Sequence, residues 1–261
     1  MFKSESVMDM IKTYVINLPK ATERRWFMEA QLNLYPFLDV EYIPAIRGRE
    51  IPASDLSGIV DQAACRELVG RELTHGEIGC ALSHLEVMKR VERGAEMCAL
   101  VLEDDALLSG MLHRIAGELY RAIQSDQPSV LLLTPCKYIA SGGKSLSHGY
   151  ALRQVFDGYY ATGYMINMNA ARLLLQKLIP LKMPIDWWKE IRSMSGIKLE
   201  ALVPYGVGLS LSENIQSSTN RTMPKEEHAA CPLPSLSAFA RRAARGVYAR
   251  VRRIKAQRIV F

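Results

Sequence analysis

Three acids in a row, Glu103, Asp104 and Asp105, close the apolar run that begins at Met97 and reads MCALVLEDD. A strand buried on both faces has that composition, and the carboxyl ends of strands are where α/β sheets bind ligands. Carboxylates crowded at one strand end repel one another unless positive charge sits among them. A hard divalent cation, Mg²⁺ or Mn²⁺, bridging to substrate phosphates supplies it. The competing reading is a solvated turn that caps the strand. Two other patterns carry chemistry. Arg24 and Arg25 follow the first predicted strand, where guanidinium groups either grip a diphosphate bidentately or stand solvated on a helix face. Pro184-Ile185-Asp186-Trp187-Trp188 sets one acid beside two large aromatics.

These residues need elements to position them. Lys12 to Leu18 alternates β-branched and polar residues before Pro19 and predicts a first strand. A helix follows over Ala21 to Leu34, with Trp26, Phe27, Ala30 and Leu34 on one face. Asp39 to Asp61 reads as irregular, apart from a short strand at Val40 to Ile43, because Pro44, Gly48, Pro52 and Gly58 interrupt it. Thr74 and Glu77 form a capping box that starts a helix running to about Arg93. Gly94 is placed to end it. Beyond the acidic strand, the pattern predicts a helix at Leu112 to Ile123 and a strand at Val130 to Leu133. A Ser, Gly and Lys-rich loop is expected from Ala140 to His148. A strand follows at Tyr160 to Asn167, with Gly163 where a backbone must approach something closely, and then a helix capped by Asn169. Strand, helix, loop, helix, strand is the order of an α/β domain with a partly parallel sheet.

The 261 residues, 49% hydrophobic and 23% charged, have an ordinary globular composition. Five scattered cysteines without a C-x-x-C pair argue against a disulfide framework or a structural zinc site, and fit buried apolar residues in a reducing compartment. No segment has signal-peptide or membrane-spanning character, so a cytoplasmic location is expected. The net charge of +6 is uneven: eight basic residues and no acid follow Glu227, leaving −2 for residues 1–227. Within Leu236 to Val260, Ala240, Ala244, Val247, Val251 and Ile254 recur at helical spacing among arginines, which predicts a basic amphipathic helix suited to an anionic membrane surface. Tyr248 stands nearly alone as a stacking aromatic, which disfavours nucleic acid as the partner; an inert solubilising tail is the remaining reading. The expected division is a domain over 1–228 and a membrane-associating tail over 229–261.

The chain also resembles glycosyltransferase family 25, which includes bacterial lipooligosaccharide galactosyltransferases and collagen-glycosylating relatives. The similar stretches are YVINLPKATERR at 14–25, HGEIGCALSHLEV at 75–87, VLEDDA at 101–106, TGYMIN at 162–167 and PIDWW at 184–188, in family order. The resemblance implies a glycosyltransferase-A-like, Rossmann-like mixed sheet flanked by helices. It implies a UDP-hexose donor, usually UDP-galactose, and inversion to a β linkage, as in a β-1,4-galactosyltransferase. By the same analogy, Glu103-Asp104-Asp105 stands for the family's D-x-D-like element. Asp105 is then the ligand of Mn²⁺ (or Mg²⁺), with Glu103 sharing the metal or touching the ribose or a metal-bound water. Donor contacts fall to Asn17, Arg24, Arg25, Ser83, His84, Asp104 and Gly163.

Inversion requires a base near the acceptor hydroxyl. Asp186 is the candidate, with Trp187 and Trp188 as a sugar-stacking platform, against the alternative that Asp186 caps a helix. Glu190 and Glu213 are fallback bases, and Glu213 or Gln216 also suits a late metal or donor-sugar contact. His75, His113, His148 and His228 show no metal-ligand spacing. The overall expectation is a peripheral enzyme on the cytoplasmic face of the inner membrane, acting on a lipid-linked oligosaccharide. A metal-dependent phosphoesterase and a membrane-recruited binding protein without catalysis are the alternatives.

Overall fold

The computed structural model describes residues 10–209 and Ala256–Arg258. In chain order the elements are β1 (Ile11–Asn17), α1 (Thr22–Leu32), β2 (Leu38–Pro44), a 3₁₀ turn (Gly48–Glu50), α2 (Ala53–Ile59), α3 (Gln62–Val69), α4 (His75–Arg93), β3 (Cys98–Glu103), β4 (Ala106–Leu108) and α5 (Leu112–Ile123). There follow β5 (Ser129–Leu132), β6 (Cys136–Ser145), β7 (Ala151–Gly158), β8 (Gly163–Asn167), α6 (Met168–Leu178), α7 (Trp188–Ser195), β9 (Lys198–Val203), β10 (Val207–Leu209) and β11 (Ala256–Arg258). The large sheet has the order β11-β6-β7-β9-β5-β8-β3-β1-β2, and β10 pairs with β4 beside it. Strand β1 lies parallel to both β2 and β3, whereas β8 runs antiparallel between β3 and β5. The mixed sheet flanked by helices is the class expected from the sequence.

Strand β3 explains the layering. Its residues alternate between two cores: Ala99 and Val101 face α4, α6 and α7, while Cys98, Leu100 and Leu102 face α1 and α5. Both faces are covered, so the strand reads as one unbroken apolar run. The Thr74 hydroxyl accepts from the Glu77 amide, and the Glu77 carboxylate accepts from the Thr74 amide, so the predicted capping box starts α4. Gly94 ends that helix in extended geometry, without a left-handed turn.

Four expectations differ from the structure. The irregular stretch holds the 3₁₀ turn and α2, a seven-residue helix without a fully buried residue whose only core contacts are the half-buried Leu56 and Ile59, too short a pattern to read. The predicted loop from Ala140 to His148 is largely the outer half of β6, where mostly exposed residues hydrogen-bond antiparallel to β7. Gly143 is required there, since a Cβ would come within 2.0 Å of the Leu152 carbonyl oxygen. Asn167, not Asn169, caps α6: its Oδ1 accepts from the Ala170 amide at 2.9 Å. Of the predicted basic helix, Ala256–Arg258 is described and forms an edge strand on β6, whose outer backbone groups offer a ready ladder. The rest of that segment, together with Glu213, Gln216 and His228, lies outside the described residues. Among the described residues, no helix is long and apolar enough to cross a membrane.

Candidate active site at the tip of the central strand

The site is built where β1 and β3 end side by side. Parallel pairing sets Ile16 opposite Glu103, so Asn17 and the turn that leads into α1 lie beside the acidic tip. Asp104 and Asp105 form the two-residue turn between β3 and β4. Asn17 donates from Nδ2 to Asp104 Oδ2 at 2.8 Å, and Arg24, in the first turn of α1, forms an ion pair with Asp104 and reaches Asp105 at 3.5 Å. The Arg24 side chain is 15% exposed, so its charge acts in a largely dry setting. Arg25, its neighbour, points elsewhere: it hydrogen-bonds Glu29 and stacks over the Tyr42 ring at 4.3 Å. Of the two arginines, Arg24 is therefore the one at the tip.

Glu103 turns the other way, toward α4 and β8. Its Oε1 lies 3.1 Å from His84 Nε2 and 3.5 Å from Cys80 Sγ, and its Oε2 accepts from Thr162 Oγ1 at 3.0 Å. The Glu103 amide also donates to the Thr162 carbonyl at 2.9 Å. His84 is fully buried, and its Nδ1 is 3.0 Å from the Tyr164 hydroxyl. Burial alone would raise the Glu103 carboxyl, but the hydrogen bonds from His84, Thr162 and Cys80 outweigh it and hold the group below its ordinary range. Asp105 lacks that set of donors. Burial first, then the charge of Glu103, pushes it up to about 6 against the pull of Arg24. Asp104 is also raised, chiefly by burial, although Arg24 and Asn17 oppose the shift.

The tip suits a hard cation. Asp105 Oδ1 is buried without a hydrogen-bond partner, and the single Arg24 charge is shared between two carboxylates. Asp105 would hold Mn²⁺ or Mg²⁺, with the carboxylates of Asp104 and Glu103 on either side adding negative potential.

Other predicted site residues find different places. Ser83 is buried, donating to the Gly79 carbonyl at 2.7 Å and accepting from the Ile46 amide at 2.8 Å, so it pins the loop after β2 onto α4. The close approach predicted at Gly163 is to protein: a Cβ there would meet a Val207 methyl at 2.8 Å. Asp186 is buried just ahead of α7, whose N-cap residue is Trp187. Trp188 cannot serve as a sugar platform. It is fully buried, donates from Nε1 to the Tyr160 carbonyl at 3.0 Å and packs edge-on against Tyr164. Trp187 remains half-buried.

Sequence reasoning missed Cys80, Thr162 and Tyr164, which hold Glu103 and His84 in place. It also missed Asp157 and Tyr159. Burial, followed by the charges of Asp157, Glu190 and Asp186, pushes the Tyr159 phenol up to about 12, so three acids converge on one hydroxyl. Asp157 sits 3.7 Å from Lys137 and keeps a buried Oδ1 without a hydrogen-bond partner. A positive φ at Tyr160, an uncommon conformation for a bulky side chain, marks the turn that leads to Thr162. That backbone outlier has no counterpart in the sequence pattern.

Comparison with known proteins adds to this geometry. The family described as glycosyltransferase family 25 (LPS biosynthesis protein) matches residues 10–188. A glycosyltransferase 25 family member of Anopheles gambiae is 32% identical over 64% of this chain and 30% of its own length. Procollagen galactosyltransferase 1 of Danio rerio is 28% identical over 70% of this chain and 32% of its own. The chain thus spans about a third of the length of these relatives. Among solved structures, the glycosyltransferase GlyE of Streptococcus pneumoniae aligns over 74% of this chain and 45% of its own, with 13% identity and a TM-score of 0.37.

Proposed function

The chain belongs to glycosyltransferase family 25, and on that premise we propose that it is an inverting, UDP-hexose-dependent transferase that moves galactose from UDP-galactose onto a lipooligosaccharide or lipopolysaccharide acceptor. The observation that carries the reading is the tip of β3, where Asp105 keeps an unpartnered buried oxygen beside the nearly dry Arg24. The galactose donor draws support from the relative named a procollagen galactosyltransferase, and the acceptor from the family's description.

In transfer, the acceptor oxygen bonds to the anomeric carbon as the bond from that carbon to the diphosphate oxygen breaks, and UDP leaves with the bonding pair. Arg24 releases part of its hold on Asp104 and Asp105 to meet the diphosphate, where charge grows most in the transition state. Mn²⁺ or Mg²⁺ held by Asp105 would supply further charge neutralisation there. Asn17 fixes the Asp104 carboxylate, and Glu103, held by His84 and Thr162, adds negative charge beside the metal-binding tip. Asp186 takes the proton of the acceptor hydroxyl, and Trp187 offers an apolar surface to the acceptor sugar. A β-1,4 linkage is the proposed product. The basic segment 236–260 brings the enzyme to the anionic cytoplasmic face of the inner membrane, where a lipid-linked acceptor resides.

The test incubates the full chain with Mn²⁺, a panel of UDP-sugars and short lactose-like or glucosyl acceptors, and reads product linkage by NMR. Transfer from UDP-galactose is expected. Asp105→Asn should lower it by more than about a thousandfold with the fold intact, and Asp186→Asn should slow turnover about a hundredfold or more while UDP binding persists. UDP release without an acceptor-dependent product, or near-normal turnover in Asp105→Asn, would overturn the reading.

A further inference from the structure

We propose that Cys80, His84 and Glu103 form a binding site for a zinc-class divalent cation, distinct in its donors from the oxygen-only pair Asp104 and Asp105. Helix α4 carries Cys80 and His84 at i and i+4, so both side chains lie on one face, and that face meets the end of β3 at Glu103. Glu103 Oε1 stands 3.1 Å from His84 Nε2 and 3.5 Å from Cys80 Sγ, and the three donor atoms all lie within 4.8 Å of one another. A zinc tetrahedron with bonds of about 2.0–2.2 Å to nitrogen and oxygen and about 2.3 Å to sulfur has edges of roughly 3.3–3.6 Å. The two edges from Glu103, 3.1 Å to His84 and 3.5 Å to Cys80, are thus within a few tenths of an ångström of what the ion needs.

The donor set decides the class of ion. Thiolate and imidazole favour zinc over Mg²⁺ or Mn²⁺, which prefer oxygen alone. Outer partners are in place as well: the Tyr164 hydroxyl touches His84 Nδ1, and Thr162 Oγ1 holds the second Glu103 oxygen. His84 is sealed, whereas the Glu103 side chain keeps 25% exposure, which leaves one side open for entry and for a fourth ligand. Binding releases the Cys80 thiol proton to solvent. It also moves the imidazole proton to Nδ1, where it donates to the Tyr164 oxygen, leaving Nε2 free to ligate. A cation here would lock Glu103 on one side of the tip while the hard cation site lies on the other.

The experiment strips the full chain with a chelator and titrates it anaerobically with Co²⁺ as the zinc surrogate. A thiolate-to-cobalt charge-transfer band should saturate at one equivalent, vanish when Zn²⁺ is added, and be missing in Cys80→Ser at unchanged circular dichroism. X-ray absorption at the zinc edge of the Zn²⁺-loaded wild type should show one sulfur ligand, a readout that needs no variant. Absence of the band in the wild type, its persistence in Cys80→Ser, or a zinc shell without sulfur overturns the proposal and leaves Glu103 in a hydrogen-bonded relay only. None of these readouts involves sugar transfer, so their failure and the failure of the transferase reading are separable.

Discussion

Glu103 and Asp105 are two residues apart on the same strand tip, yet their surroundings push them in opposite directions. Glu103 lies against α4 and β8, where His84, Thr162 and Cys80 satisfy both of its oxygens and stabilise the charge. Asp105 lies in the turn toward α1, shares Arg24 with Asp104, keeps one oxygen unpartnered, and is raised to about 6 by burial first and then by the charge of Glu103. One acid is part of the scaffold. The other is held in a state the fold does not favour at neutral pH, as expected of a group whose partner arrives with the ligand.

The largest effect is expected at the cation beside Asp105, which Glu103 does not touch. Arg24→Met removes the charge that offsets Asp104 and Asp105, and should cost about 3 kcal/mol of stability in urea denaturation at pH 8; an unchanged midpoint would mean that the pair stays solvated. Next come the two acids themselves, whose signs should differ. Near pH 7.5, Glu103→Gln should cost about 2 kcal/mol, because the replacement presents a donor to groups that already donate, whereas Asp105→Asn should stabilise the metal-free protein by up to about 2 kcal/mol.

The pH dependence follows from the shifts. Asp105, raised in the folded chain, binds its proton more tightly there than when unfolded, so its ionisation destabilises the fold as pH rises between about 4 and about 6. The gain in Asp105→Asn should accordingly shrink as pH falls through about 6 and vanish only below about pH 4. Glu103, lowered in the folded chain, stabilises above its unfolded value of about 4.3, and that contribution is lost only as pH falls below it. Stability curves of the two variants that run parallel from pH 4.5 to 8 would remove the distinction. The smallest effect is expected for Thr162→Val, about 1 kcal/mol from one lost hydrogen bond, with the Glu103 carboxyl rising toward its ordinary value by NMR titration.

Much of the scaffold was legible because burial repeats with the period of the element. Helix α5 was read at its observed bounds, Leu112–Ile123, since Ile115, Leu119 and Ile123 recur on its buried face. The capping box located the start of α4 from two residues alone. Helix α2, which lays only the half-buried Leu56 and Ile59 on the core, and β6, with an exposed outer half, carry too short or no such period and were missed. The acidic run likewise announced the site, and the resemblance of five short stretches to one family told which chemistry to expect there.

Apolar periodicity, capping and motif order are local along the chain, so the alternation of strands and helices, the position of the acidic tip and the family could be read from the residues alone. That Arg24 and not Arg25 enters the tip, that Trp188 is core and not platform, and that Cys80, His84 and Thr162 gather on Glu103 emerges from the folded arrangement. Those contacts join residues up to 81 positions apart, as Arg24 to Asp105 does, so they depend on sheet order and strand direction, which no local pattern encodes.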